Sequence, residues 1–476
     1  MNTYKILKPK NLNLEQLIIK FIPDFKFDFD KAYLIIFLVI KFGNKETNSK
    51  KVGLCSKMLQ SIIGRNYNLY IKYFLENYPA TGNVLNGFRF SNGKTYSYQL
   101  KQYYFDSGLE LYEIKDYRLI NKFKNSLPKS KVNENVRREY YFLQKYFNPK
   151  KLTVFSPFEA INRTNDLSID KRLINALNLV DFMNGEYKLS LKTITDGRVH
   201  SNITKLKKTS RSYLQYENEF LAEIDISSAL PFFLYVIMSN YTNNNLTHLI
   251  QYTYNPIFLY ILDEVTGDID KYELDDFGKS ILNGKIYEEF TDLILSPKIY
   301  EAVGINYKEV EKYYLYNFKQ LFGYPFDGCL YDLKKFAKKR FLSMLLAPTN
   351  KYKYEQVIFG TLFPSILKFV NEYKNVLQYK DCKNMKWSKK DSHKKLSHFL
   401  FQFEGKTMIN KIAREYDKLH KGKVPVFTLH DCILTSSSNA EELKEFMQNK
   451  FIEQFGITPK LTLDYSEFDY QYKNVS

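Results

Sequence analysis

The chain has 476 residues, 44% of them hydrophobic and 17% aromatic, enough apolar matter for large buried cores and too much for global disorder. Its 70 Lys and Arg against 52 Asp and Glu leave a formal charge of +18, which fits a polyanionic partner such as nucleic acid, or equally a solubility charge or a coding bias towards Lys, Asn, Tyr and Phe. A leader, a membrane span, a zinc site and a disulfide scaffold are not expected: MNTYKILKPK is polar, the longest apolar run is only Ala32 to Ile40, and Cys55, Cys329, Cys382 and Cys432 are scattered without a CxxC, as in a reducing cytoplasm.

In chain order, KAYLIIFLVIKF (31–42) predicts a buried helix, stopped at Gly43 and Asn44. SKMLQSIIG (56–64) and RNYNLYIKYFLENY (65–78) predict two short helices about a tight glycine turn, the second with Tyr70, Tyr73, Phe74 and Tyr78 on one broad face. VLNGFRFSNGKTYSYQL (84–100) alternates around Ser91-Asn92-Gly93, a hairpin pattern. Three helices and a hairpin resemble a winged helix-turn-helix. The helix at 65–78 would then face nucleic acid, or the unit is simply a packing domain. Residues 106 to 190 read as mostly helical. The basic stretch 119–147 is either a thumb-like arm gripping phosphates or a solvated face. From about 190 the pattern becomes mixed α/β. These readings divide the chain into 1–115, 116–190 and 191–476, with no internal repeat.

Two segments carry candidate chemistry. EFLAEIDISSALPFFLYVIMS (219–239) is a short strand presenting Asp225, followed by an apolar helix. Alone, Asp225 could be a helix cap. VPVFTLHDCILTS (424–436) reads as two strands with His430-Asp431 between them, a hairpin with a carboxylate at its tip. An Asp between apolar strands costs several kcal/mol unless a cation or donors compensate it. Two such carboxylates on adjacent strands can hold two Mg²⁺ ions (or Mn²⁺) for nucleotidyl transfer, with the Ile226 carbonyl as a further ligand.

A strand Asp followed by a hairpin His-Asp resembles the palm of the family A, DNA polymerase I-like enzymes, over about residues 190 to 436. TDGRVHSNITKLKKTSR (195–211) is similar to the family's Thr-Gly-Arg-x-x-Ser segment, which implies primer or template contacts by Gly197, Arg198, Ser201 and Arg211. EIDISS (223–228) resembles motif A, with Asp225 as metal ligand, and LHDC (429–432) resembles motif C, with His430 near the primer terminus and Asp431 as the second ligand. FGTLFPSILKFV (359–370) resembles the segment after the nucleotide-binding helix, which implies that helix at about 333–346 and a triphosphate site at Lys335, Lys339 and Arg340. Gln402 resembles the Gln preceding motif C, near the template base. Two departures concern the sugar: Leu230 replaces a Glu that helps exclude the ribose 2′-hydroxyl, and Cys432 replaces the Glu of DNA enzymes or Ser of RNA enzymes.

The resemblance implies an α+β right-hand polymerase: a palm with an antiparallel sheet, helical fingers and thumb, and a winged helix-like head. Its expected partners are a DNA primer-template and nucleoside triphosphates, with RNA as an alternative. Its expected setting is the cytoplasm of a bacterium or infected host, in replication of a phage or mobile element. The length leaves no room for a proofreading exonuclease. An RNA polymerase or primase is the alternative enzyme. A non-catalytic replication initiator with a degenerate palm is the alternative of another class.

Overall fold

The computed structural model describes residues 3–43, 51–76, 84–88, 96–127, 134–163, 169–376 and 391–470. Asn44, Tyr78, the Ser91-Asn92-Gly93 turn, residues 128–133 of the basic stretch and Cys382 lie outside the described residues.

The N-terminal unit is built around the helix Phe29–Gly43, in which every residue from Ala32 to Ile40 is buried. A helix that is apolar all round must be enclosed on all sides, and this one is. Strand β1 (Tyr4–Pro9) pairs antiparallel with a strand one hundred residues on, in the register Tyr4↔Ile114. Strands β2 (Val52–Gly53), β3 (Leu85–Phe88) and β4 (Ser97–Leu100) form a second sheet in the order β2-β4-β3, and β5 (Leu109–Ile114) is the partner of β1. Between β2 and β3 lie the helices Ser56–Ile63 and Tyr67–Glu76, joined through Gly64 at φ +103°. The aromatic face of the second helix turns inward. Tyr70, Tyr73 and Phe74 are buried, and the Tyr73 hydroxyl donates to the Phe21 carbonyl at 2.7 Å.

The stretch after residue 106 is less helical than its composition suggests. It contains β5, and β6 (Leu152–Val154) joins the central sheet. Next come the short pair β7 (Ser190–Leu191) and β8 (Val199–His200). The central sheet adds β9 (Leu214–Tyr216), β10 (Glu219–Ile226), β11 (Phe427–Leu429), β12 (Cys432–Ser436) and β13 (Leu461–Asp464). Its order is β11-β12-β10-β9-β6, with β13 also on β10, and every pairing is antiparallel.

The period of two along β10 decides what faces where. Ala222, Ile224 and Ile226 are buried on one face, while Glu223 and Asp225 share the other. The helix Ala440–Phe455, after β12, backs the sheet, and the largely buried helix Ala229–Thr242, directly after β10, packs against it through Phe232 and Phe451. A third runs over Lys394–Lys406, continues as a π-helical turn through Thr407–Ala413, and ends as Arg414–Leu419. No helix among the described residues is long and apolar enough to cross a membrane.

One contact fixes the loop before β8 against this third helix. A Cβ built on Gly405 would lie 2.2 Å from the Gly197 carbonyl oxygen, and Gly197 itself has φ +60°. In an open helix, Gly to Ala gains about 1 kcal/mol. Here the added methyl meets backbone, so Gly405→Ala should instead destabilise by about 2 kcal/mol. The check is the midpoint of urea denaturation, which should fall.

Candidate functional site

The site forms where β10 and the β11–β12 hairpin end together. The register sets Asp225 opposite Cys432, and the Ile226 amide donates to the Asp431 carbonyl at 3.2 Å. The two-residue turn His430-Asp431 joins β11 to β12, with His430 in the left-handed region at φ 58°. That backbone favours Gly or Asn, so a His there holds a strained position of the kind that gathers at functional sites.

Asp225 and Asp431 line one cleft with Ile226, Leu230, Tyr287, Lys338, Arg198 and His430. Burial first, and then the neighbouring Asp431, raise the Asp225 carboxyl to about 7 against the pull of Lys338 and Lys208. Burial also raises Asp431, opposed by Arg198 and Lys338. Burial lowers His430 to about 4, with Arg198 and His200 acting in the same direction, so its imidazole is neutral at physiological pH. Its Nδ1 is buried without a hydrogen-bond partner, and its ring meets that of His200 edge-on at 5.5 Å. His200 in turn contacts Asp196 at 2.9 Å.

The remaining sequence candidates separate into those that face the cleft and those engaged within the fold. Arg198 lines the cleft, yet its Nε and Nη2 donate to Glu404 at 2.7 and 2.6 Å. Arg211 spends both edges internally, on Glu223 at 2.7 and 2.9 Å and on the Leu206 carbonyl at 2.9 Å. Ser201 caps the short helix after it in a reciprocal box with Thr204. Gln402 is fully buried. It accepts from the Tyr254 amide at 3.1 Å and donates to the carbonyls of Thr193 and Thr195 at 2.8 and 3.3 Å. With its amide spent on backbone, Gln402 clamps a loop and is not presented to a ligand. Cys432 is buried within the sheet, its thiol pushed well up by burial.

The basic helix runs from Leu330 to Leu346. Lys335 and Lys339 border a groove next to the cleft, and the Lys335 ammonium rests 3.8 Å over the Tyr331 ring. Arg340 points the other way. It donates to buried Glu355 at 2.6 Å and to the Tyr313 hydroxyl, inside the helical packing. A residue one step on from Lys339 turns about 100° round a helix, which is why the two part company.

The residue missed in the sequence is Lys338. It borders both the groove and the carboxylate cleft, with its ammonium 5.1 Å over the Tyr287 ring. Its spacing of three from Lys335 placed it on the same face and could have singled it out. Tyr287, on the helix Ile286–Ile294, was also missed, and nothing local in its sequence marks it. Among the described residues no group of three or more His, Cys, Asp or Glu is arranged for a metal. A cation here would have the two Asp carboxylates and backbone carbonyls, an all-oxygen set suited to Mg²⁺ or Mn²⁺ and not to zinc.

No protein-family model matches the chain, and no curated protein matches it. A solved structure, the POL domain of Pol1 from M. smegmatis in complex with DNA primer-template and dNTP, is similar over 63% of this chain and 53% of that one, at 11% identity and a TM-score of 0.33. The chain thus spans about half the length of that structure.

The raised Asp225 gives a signed prediction. The folded carboxyl keeps its proton to about pH 7, the unfolded one only to about pH 4, so the metal-free fold loses stability as pH rises between these values. Asp225→Asn removes the charge. In EDTA at pH 8 the variant should melt a few degrees above wild type, and the gain should shrink as pH falls towards 5. Thermal melts across this range provide the check, and equal melting points at pH 8 would contradict it.

Proposed function

We propose that the chain is a template-directed DNA polymerase, a nucleotidyltransferase of right-hand, family A type, serving replication of a phage or mobile element. The observation that carries the reading is the meeting of Asp225 and Asp431 at the joined ends of β10 and β12, both half-buried and lining one cleft with Lys338. Burying two like charges together is costly, and a cation between them offsets that cost. In this reading the central sheet is the palm, the helices from Ile286 to Leu346 belong to the fingers, and the helical residues between 116 and 190 are thumb-like.

Asp225, Asp431 and the Ile226 carbonyl would hold Mg²⁺. Bound there, the metal supplies Lewis acidity for a primer 3′-hydroxyl and charge for a leaving pyrophosphate. Lys338 offers a cation to the triphosphate, and Lys335 and Lys339 extend the positive field along the adjoining groove. His430, neutral, offers hydrogen bonds to the primer end without adding charge. Arg198 faces the primer side of the cleft. Arg211, Arg340 and Gln402 support the fold in this proposal and do not touch substrate. The N-terminal unit is read as a winged helix, with Asn68 and Lys72 on the outward side of its second short helix and Arg65 exposed in the turn before it.

Leu230, on the cleft wall, favours a second reading as a single-subunit RNA polymerase or primase, because it offers neither acceptor nor charge to a sugar. Primer extension with Mg²⁺ on a DNA template, run with dNTPs and with rNTPs, separates the two. Either Asp225→Ala or Asp431→Ala should reduce extension by at least about a thousandfold, and extension that survives either change overturns the proposal. Lys338→Ala should raise the nucleotide KM about tenfold, whereas Lys335→Ala should stay within about threefold of wild type. Steady-state kinetics on one primed template measures both.

A further inference from the structure

Beside the carboxylate pair stands an ion pair that no step above uses. Glu404, on the helix Lys394–Lys406, has no exposed side-chain surface, whereas Arg198 is 16% exposed and lines the cleft. Both Glu404 oxygens are taken by the guanidinium, at 2.7 Å from Nε and 2.6 Å from Nη2. The guanidinium also lies 4.1 Å over the Phe401 ring. Of its three nitrogen corners, Nη1 is the one Glu404 does not take.

The backbone around this pair is clamped from two sides. Gln402 holds the carbonyls of Thr193 and Thr195, and the Gly197 carbonyl fills the space where Gly405 lacks a side chain. The loop bearing Arg198 and the helix bearing Glu404 therefore cannot slide past each other, and the arginine is held at one edge of the cleft.

That edge is a hazardous place for a guanidinium. Arginine forks onto carboxylates readily, and its charge already stabilises the ionised form of Asp431. An unrestrained arginine would compete with a metal ion for Asp431. Glu404 is close enough to the pair to feel it: burial, with smaller contributions from Asp431 and Asp225, raises its carboxyl to about 7 against the pull of Arg198.

We propose that Glu404 is a positioning residue that acts through Arg198, occupying the bidentate edge of the guanidinium so that it does not close onto Asp431 and the carboxylate stays open to a cation. The proposal rests on the metal-binding reading of Asp225 and Asp431, but its test does not need polymerase activity.

The test is Mn²⁺ binding to the full chain, without nucleic acid, followed by the loss of the free-ion signal in electron paramagnetic resonance. Glu404→Gln keeps the shape, removes the charge and releases Arg198; Mn²⁺ affinity should fall about tenfold, the range expected when a ligand's supporting partner is lost. The double variant Glu404→Gln/Arg198→Met removes the competitor as well, and affinity should return to within about threefold of wild type. A purely structural Glu404 would not be rescued by a second lesion. Unchanged binding in Glu404→Gln, or a double variant as weak as the single, overturns the proposal and leaves the metal reading standing. Wild-type protein that binds no Mn²⁺ overturns both. If circular dichroism shows Glu404→Gln unfolded, Glu404→Asp carries the test: its shorter reach should weaken binding a few-fold, and wild-type affinity overturns the proposal.

Discussion

Two half-buried carboxylates that line one cleft repel each other, and the charged groups around that cleft are arranged in relation to the repulsion. β10 and β12 bring them together because Asp225 falls opposite Cys432 and Asp431 is the next residue back along the hairpin. A slip of one residue in that register would turn Asp225 to the apolar face and bury it without relief. The flanking charges are already paired: Arg211 with Glu223, Lys208 with Asp464 at 2.7 Å, and Arg198 with Glu404. Each of those acids takes up a nearby cation that could otherwise neutralise the two aspartates. Negative charge is thereby kept at one spot on the sheet, facing a cleft that Lys338 enters from the opposite helix.

The same logic separates the cations that face a ligand from those that hold the protein together. The buried acids Glu404 and Glu355 each occupy an arginine, and desolvation makes such pairs costly to break from either side. The lysines at the groove are exposed and, among the described residues, have no comparable acid on them. In the proposed reading, arginines set the geometry and lysines meet phosphate. This is an unusual division, since the fork of arginine suits phosphate at least as well.

Much of the fold that depends on local pattern was legible in the chain. The run 32–40 announced a buried helix, the alternation around Asp225 and Asp431 announced strands, and Gly64 announced a tight turn between two helices. The pairing of β1 with β5 was not legible, because its partners are a hundred residues apart and the turn chemistry that marks a hairpin is absent. The candidate site divides in the same way. The two aspartates stand in strong local patterns, but the engagement of Arg198, Arg211 and Arg340 depends on acids brought in by folding. Gln402 was singled out by its resemblance to the Gln preceding motif C, and Glu404, two residues on, is the side chain that reaches the cleft arginine. A helix advances 100° per residue, so an error of one or two positions exchanges an inward face for a neighbouring one. Lys338, three residues after Lys335 and on the same face, was within reach of that arithmetic.

The π-helical turn at Thr407–Ala413 has a consequence for how this chain can change in length. Its two halves serve different neighbours. Upstream, Glu404 and Gln402 hold the loop that carries Arg198, through the guanidinium and through the Thr193 and Thr195 carbonyls. Downstream, Asp417 receives the Tyr146 hydroxyl and the Lys145 ammonium, and Arg414 donates to the Glu139 carbonyl at 2.5 Å. The wider turn sets the angular offset between those two faces. Deleting one residue from it would give a more regular helix but rotate one half against the other by about 100°. Either the cleft or the anchor of the preceding helical region would then lose its side chains. Small insertions and deletions should therefore be tolerated in the surface loops of this protein and excluded from this buried helix, where the less regular geometry is the one that keeps both ends in phase.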